Sequence, residues 1–166
     1  MSIKLSLNLN LLETMYYFWI AISSREKLSE KFINDIANDS TFSQIYNEEF
    51  SNESVRRSLS ALSNREPFTG NKAETRFYSR NLMILEYIDT LQSKMNAFKA
   101  LRLNELEASI ASIDNELTIY VVPSPFETVQ LKNNSLYLNF FKFNIIDGQL
   151  KADDQTIEQI LALTIK

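Results

Sequence analysis

Apolar residues recur at helical spacing over the first two-thirds of the chain and at alternate positions over much of the last third. The clearest helical run lies between Asn71 and Asn115, which contains no glycine or proline. There Ile84, Ile88, Leu91, Met95 and Phe98 alternate steps of four and three along one stripe. A second set, Leu103, Leu106, Ile110 and Ile113, restarts five residues after Phe98, a jump that turns the apolar face by roughly 100° on an ideal helix. One straight helix cannot bury both stripes in one groove. The pattern therefore predicts a break near Arg102 to Asn104, with helices at about 72–101 and 105–114; a single unbroken helix is the alternative. Both starts have capping-box spacing, Asn71 with Glu74 and Asn104 with Glu107.

Upstream, Ile3, Leu5 and Leu7 alternate with Lys4, Ser6 and Asn8, the period of a half-buried strand. From Leu11 to Ile22 apolar residues lie nearly all round, as in a core helix. The spacing of Ser23 and Glu26 lets a second helix start there, or the first continue to Ala37. Asp39 and Ser51 are placed to cap helices carrying Phe42 and Ile45, then Val55, Leu59 and Leu62. Glu13–Glu26 and Glu53–Glu66 align without gaps and end Ser-Ser-Arg-Glu and Ser-Asn-Arg-Glu. Shared helix-end chemistry or a duplicated hairpin would each give this match, but two copies fall short of a repeat architecture.

At Leu117 the character changes. Leu117 to Val122 is β-branched and aromatic, and Pro123 and Pro125 end it. Glu127–Lys132 and Ser135–Phe140 flank Asn133-Asn134, and pairing across that turn sets Leu131 opposite Leu136 and Val129 opposite Leu138. After Phe140 the apolar positions slip by one, which requires a bulge or bend. Asp147-Gly148 is a second turn signal, pairing Ile145 with Leu150. Asp153 or Asp154 is placed to cap a closing helix. The expected fold is a single α+β domain: a mostly helical part at about 9–115, packed on an antiparallel β-meander at about 117–152, with a terminal helix at about 154–164.

Composition narrows the chemistry. The 166 residues include no cysteine and no histidine, which removes disulfides, thiolate nucleophiles and the usual transition-metal ligands. With glycine only at positions 70 and 148, a glycine-rich phosphate loop has no place. No cofactor or metal is expected, and no catalytic set is assigned. Ser24 and Lys27 have the Ser-x-x-Lys spacing of some acyl-transfer enzymes without their companion motifs. The aromatic run Tyr16–Trp19 is read as core, with pocket lining as the alternative. No secretory leader is evident, and the most apolar run is too short to span a bilayer, so a cytoplasmic protein is expected. The bias towards Asn, Ile, Lys, Phe and Ser points to an AT-rich, bacterial or phage source.

Net charge is −4, unevenly spread: Arg65 to Leu103 holds seven bases and four acids, while Asn104 to Lys166 holds four bases and nine acids. Arg65, Lys72, Arg76, Arg80, Lys94, Lys99 and Arg102, together with Arg56 and Arg57, form the candidate partner-binding set. A solvated helix face paired with neighbouring acids is the competing reading. These features fit a small acidic binding protein, not an enzyme, that occludes a protein partner's surface in the manner of an immunity, antitoxin or phage counter-defence factor. A nucleic-acid-associated regulatory module using the basic central helix is the alternative. Because the chain is acidic as a whole, a fluorescence anisotropy titration against duplex DNA or RNA at physiological salt is expected to show no binding tighter than about 1 μM, the tight end of non-specific association.

Overall fold

A computed structural model of the chain describes residues 4–108, 110 and 116–165. In order, the elements are β1 (Lys4–Asn8), α1 (Asn10–Ser23), α2 (Glu30–Ala37), α3 (Ser40–Ser43), α4 (Asn52–Asn64) and α5 (Lys72–Glu86). A 3-10 turn (Ile88–Thr90), α6 (Leu91–Lys99) and α7 (Leu103–Ala108) follow. The remainder is β2 (Glu116–Val122), β3 (Val129–Lys132), β4 (Ser135–Asn139), a 3-10 turn (Phe140–Lys142), β5 (Asn144–Ile146), β6 (Gln149–Ala152), β7 (Gln155–Thr156) and α8 (Ile157–Thr164). The fold is α+β, with helices in the N-terminal part, strands in the C-terminal part and a closing helix. The chain forms two compact units, a helical one of residues 10–91 and 123–126 and a strand-rich one of residues 1–9, 92–122 and 127–166.

In the helical unit, α1 buries Leu11, Leu12, Met15, Phe18, Trp19 and Ile22. The Trp19 indole N–H donates to Asn81 Oδ1 at 2.8 Å, and Asn81 Nδ2 donates to the Phe77 carbonyl at 2.8 Å. Both side chains are fully buried, so the bond satisfies polar groups that no solvent reaches. Phe77 belongs to a cluster of edge-on rings, 5.0 Å from Phe50 and 6.0 Å from Phe42, with Phe126 5.9 Å from Phe50. Aromatic edges placed against faces add to the gain from burial alone.

The two copies of the internal echo end in the same geometry. Arg25 and Arg65 both adopt left-handed backbone, φ 64° and 57°. Glu26 and Glu66 donate their amides back to the Ala21 and Ala61 carbonyls, both at 2.9 Å. This is the Schellman ending, with arginine where glycine is commoner. The Ser23–Glu26 spacing therefore closes α1 instead of opening a helix, and α2 starts at Glu30 under a Ser29 cap. Asp39 caps α3 and Asn71 caps α5 through a reciprocal box with Glu74, as their spacing predicts.

The break expected near Arg102 to Asn104 is present slightly earlier, at residues 100–102 between α6 and α7, and a second falls at Tyr87. There the Thr90 amide and hydroxyl both donate to the Tyr87 carbonyl, at 3.0 and 2.8 Å, closing a tight turn in place of the next helical bond. Helix α7 begins at Leu103, so Asn104 lies inside its first turn and not ahead of it. The predicted end of that helix, at 109 and 111–114, lies outside the described residues.

In the strand-rich unit, β1 and β4 both pair in parallel with β2, and β3 pairs antiparallel with β4, giving the order β1-β2-β4-β3. The hairpin register is the predicted one, Leu131 against Leu136 and Val129 against Leu138. One face carries Leu5, Leu117, Ile119, Val121, Leu136 and Leu138, all buried. The other aligns Asn8, Tyr120, Tyr137 and Gln130 in one row, with the two tyrosine rings stacked at 5.2 Å and 12°.

The meander expectation is corrected here. Its two hairpins lie in separate sheets, the second being β5-β6-β7. The reason is Asn139, whose Oδ1 accepts from the Phe141 amide at 3.1 Å while its Nδ2 donates to the Glu127 carbonyl at 3.3 Å, turning the chain into a 3-10 turn. A second correction concerns Asp153 and Asp154. Both take positive φ, 53° and 62°, and form the two-residue turn between β6 and β7, a conformation that Asp tolerates. The closing helix is capped instead by Thr156, in a reciprocal box with Gln159.

Truncating Asn81 removes the acceptor of the buried Trp19 N–H and opens a void. Asn81→Ala is expected to lower the stability of the helical unit by about 2–4 kcal/mol. The midpoint of the Trp19 fluorescence transition in a urea titration measures it.

Candidate functional site

The basic residues singled out in the sequence divide between the units. Arg56, Arg57, Arg65, Lys72, Arg76 and Arg80 lie in the helical unit; Lys94, Lys99 and Arg102 lie in the strand-rich one. Several have partners within the chain. Arg76 Nη1 donates to the Pro125 carbonyl at 3.0 Å, and Arg80 Nη1 to the Ser124 carbonyl at 2.8 Å. Burial and the neighbouring Arg76 hold the Arg80 guanidinium below its ordinary pKa. Arg57 donates to the Thr69 carbonyl at 2.8 Å, reaches Glu74 at 3.4 Å and lies 5.1 Å from the centre of the Phe68 ring. Arg56 pairs with Glu53, and Arg102 with Glu105 at 3.3 Å. Arg65 closes α4, Lys72 opens α5, and Lys99 is exposed.

Lys94 is the unusual member. Its ammonium sits 4.2 Å from the centre of the Phe140 ring. Among the described residues no carboxylate forms an ion pair with it. The ring quadrupole attracts the cation, yet burial pushes the amine down to about 8.

A different arrangement forms between α1 and α2 in the helical unit. Asn10, Glu13, Thr14, Tyr17 and Phe32 line an open groove of about 670 Å³. The Tyr17 ring stands edge-on to Phe32, centroids 5.5 Å apart, and is 56% exposed. The helical period explains how this side chain comes to face outwards. Steps of three and four from Asn10 reach Glu13, Thr14 and Tyr17, on the side of α1 opposite Leu12, Met15 and Trp19. The aromatic run is thus split: Phe18 and Trp19 are core, whereas Tyr17 lines the groove. The polar neighbours at Asn10, Glu13 and Thr14 were the available signal. Phe32, between charged Lys31 and buried Ile33, carried none.

Among the described residues no group of three or more acidic side chains is placed to hold a metal ion. None of the described helices is long and apolar enough to cross a membrane. No protein-family model, no curated protein and no solved structure matches this chain.

The shift at Lys94 sets a pH dependence. Between about 8 and 10.5 the unfolded chain keeps the lysine proton that the folded chain has released, so stability rises with pH across that window. Lys94→Met is expected to abolish this rise and to raise stability at pH 7 by roughly 1–3 kcal/mol. Urea titrations of both proteins at pH 7, 8, 9 and 10 measure the difference.

Proposed function

We propose that the protein is a non-enzymatic binding protein that acts by occluding a protein partner's surface, and that the α1–α2 groove receives an apolar anchor of that partner beside a basic residue. The observation that carries this reading is the Tyr17 ring, 56% exposed and edge-on to Phe32, with Glu13 on the same groove. Exposed aromatic side chains that offer large, stiff area beside a charge are the usual anchors of protein interfaces. Among the described residues that line the groove Glu13 is the charged one, and the whole chain is acidic, which favours a basic partner segment and speeds its approach. The basic residues give the nucleic-acid alternative less support, because Arg57, Arg76 and Arg80 direct donors to the chain's own carbonyls. Occlusion of the immunity, antitoxin or counter-defence kind needs only such a surface and a stable fold behind it.

The test is a photo-crosslinking amino acid at position 17 in extract of the native host, with position 131 as the exposed control on the other unit. Position 17 is expected to capture one protein, and unlabelled wild-type chain to compete it away. The Glu13→Lys variant should compete at least about tenfold less well, a loss of roughly 1.4 kcal/mol. Equal capture at the two positions, or undiminished competition by Glu13→Lys, refutes the reading.

A further inference from the structure

The strand-rich unit contains a cavity of about 290 Å³, where the corner between α6 and α7 faces β6 and the start of α8. None of its walls belongs to the helical unit. Part of the lining is apolar and closed to solvent: Leu106, Leu150 and Ile157 are 4%, 7% and 4% exposed. The rest includes charges of both signs, Arg102 with Glu105 and Glu158. Arg102 and Glu105 pair at 3.3 Å, but their side chains are 78% and 61% exposed. Exposed pairs of this kind contribute little, so either partner can exchange the other for a ligand at small loss. Among the described residues the Glu158 side chain forms no hydrogen bond or ion pair.

A guanidinium takes a carboxylate through two parallel N–H donors, and a carboxylate takes an ammonium. A ligand that satisfies both carries the two groups close together, with an apolar branch to cover Leu106, Leu150 and Ile157. The volume is at the small end for ligand sites, which fits a small molecule of this kind. We propose that this cavity binds a free apolar α-amino acid of leucine size. Its carboxylate lies on Arg102, its ammonium between Glu105 and Glu158, and its side chain on the apolar wall. The site stands independently of the α1–α2 groove, since neither its residues nor its ligand class is shared.

Amide NMR titration of the full chain tests this with four probes: L-leucine, leucinamide without the carboxylate, 4-methylpentanoate without the ammonium, and L-serine without the apolar branch. Leucine is expected to give saturable shifts confined to the region of residues 100–106 and 149–158, and the other three to bind at least about tenfold more weakly. Glu158→Gln and Arg102→Gln, both at exposed positions, should each weaken leucine binding by a similar factor while the thermal midpoint stays unchanged. No saturation by leucine up to about 10 mM, an affinity too weak for a built site, overturns the proposal. So does an equal response to leucine and 4-methylpentanoate. Should either variant lose its fold, the probe series on the wild-type chain decides alone.

Discussion

An inner strand with a buried face must find partners for both edges, because an unpaired amide or carbonyl away from water is expensive. Glu116–Val122 meets that demand from opposite ends of the chain, with Lys4–Asn8 along one edge and Ser135–Asn139 along the other. The apolar layer depends on this pairing. Leu7, Ile119, Leu136 and Leu131 fall in one row only because both registers are set on the same central strand. A slip of one residue on either side would turn a whole strand's apolar set to the opposite face. The stacked Tyr120 and Tyr137 rings would separate with it.

What could be read from the sequence was local. Turn chemistry at Asn133-Asn134 and Asp147-Gly148 fixed two registers, and capping residues at Asp39 and Asn71 fixed two helix starts, because each signal lies within a few residues of its effect. The parallel pairing of β1 with β2 was hidden. Partners such as Leu5 and Leu117 are separated by the whole helical stretch, and alternation says that a strand exists without saying what lies beside it. Asp153-Asp154 shows a second kind of limit. The same residue type favours a helix cap and a left-handed turn, and only Thr156 and Gln159 further along decide between them. The candidate groove lies outside the expectation that α1 is apolar nearly all round: the polar residues at helical steps from Asn10 mark its outer side only once the fold is known, and no sequence signal pairs Phe32 with Tyr17 there.

The positive charges carry a related lesson about counting. Sign counts marked Arg65 to Leu103 as basic, but a guanidinium with five donors is also a good clamp for main-chain carbonyls. Arg76 and Arg80 hold Ser124 and Pro125 in this way, beside the Phe126 ring that packs on Phe50. Lys94 caps an aromatic face. Linear charge density therefore overstates the positive surface that a ligand would meet. Conversely, Tyr17 is 56% exposed although its ring meets Phe32, and the Glu158 side chain has no ion-pair partner among the described residues.

The division of the chain also bears on the order in which it can fold. Residues 1–9 belong to the strand-rich unit, 10–91 to the helical one, 92–122 to the first again, 123–126 to the second and the remainder to the first. No single cut separates them, so neither exists as a contiguous fragment. During synthesis the helical unit lacks Phe126 and the carbonyls that Arg76 and Arg80 grip until the ribosome has passed them. Lys4–Asn8, the first strand made, has no partner for more than a hundred residues. Contacts so distant in sequence close slowly, and an edge left waiting is open to pairing with other chains. The first strand is short and carries Lys4, Ser6 and Asn8 on one face, which leaves it a poor template for aggregation while the rest of the protein is still emerging.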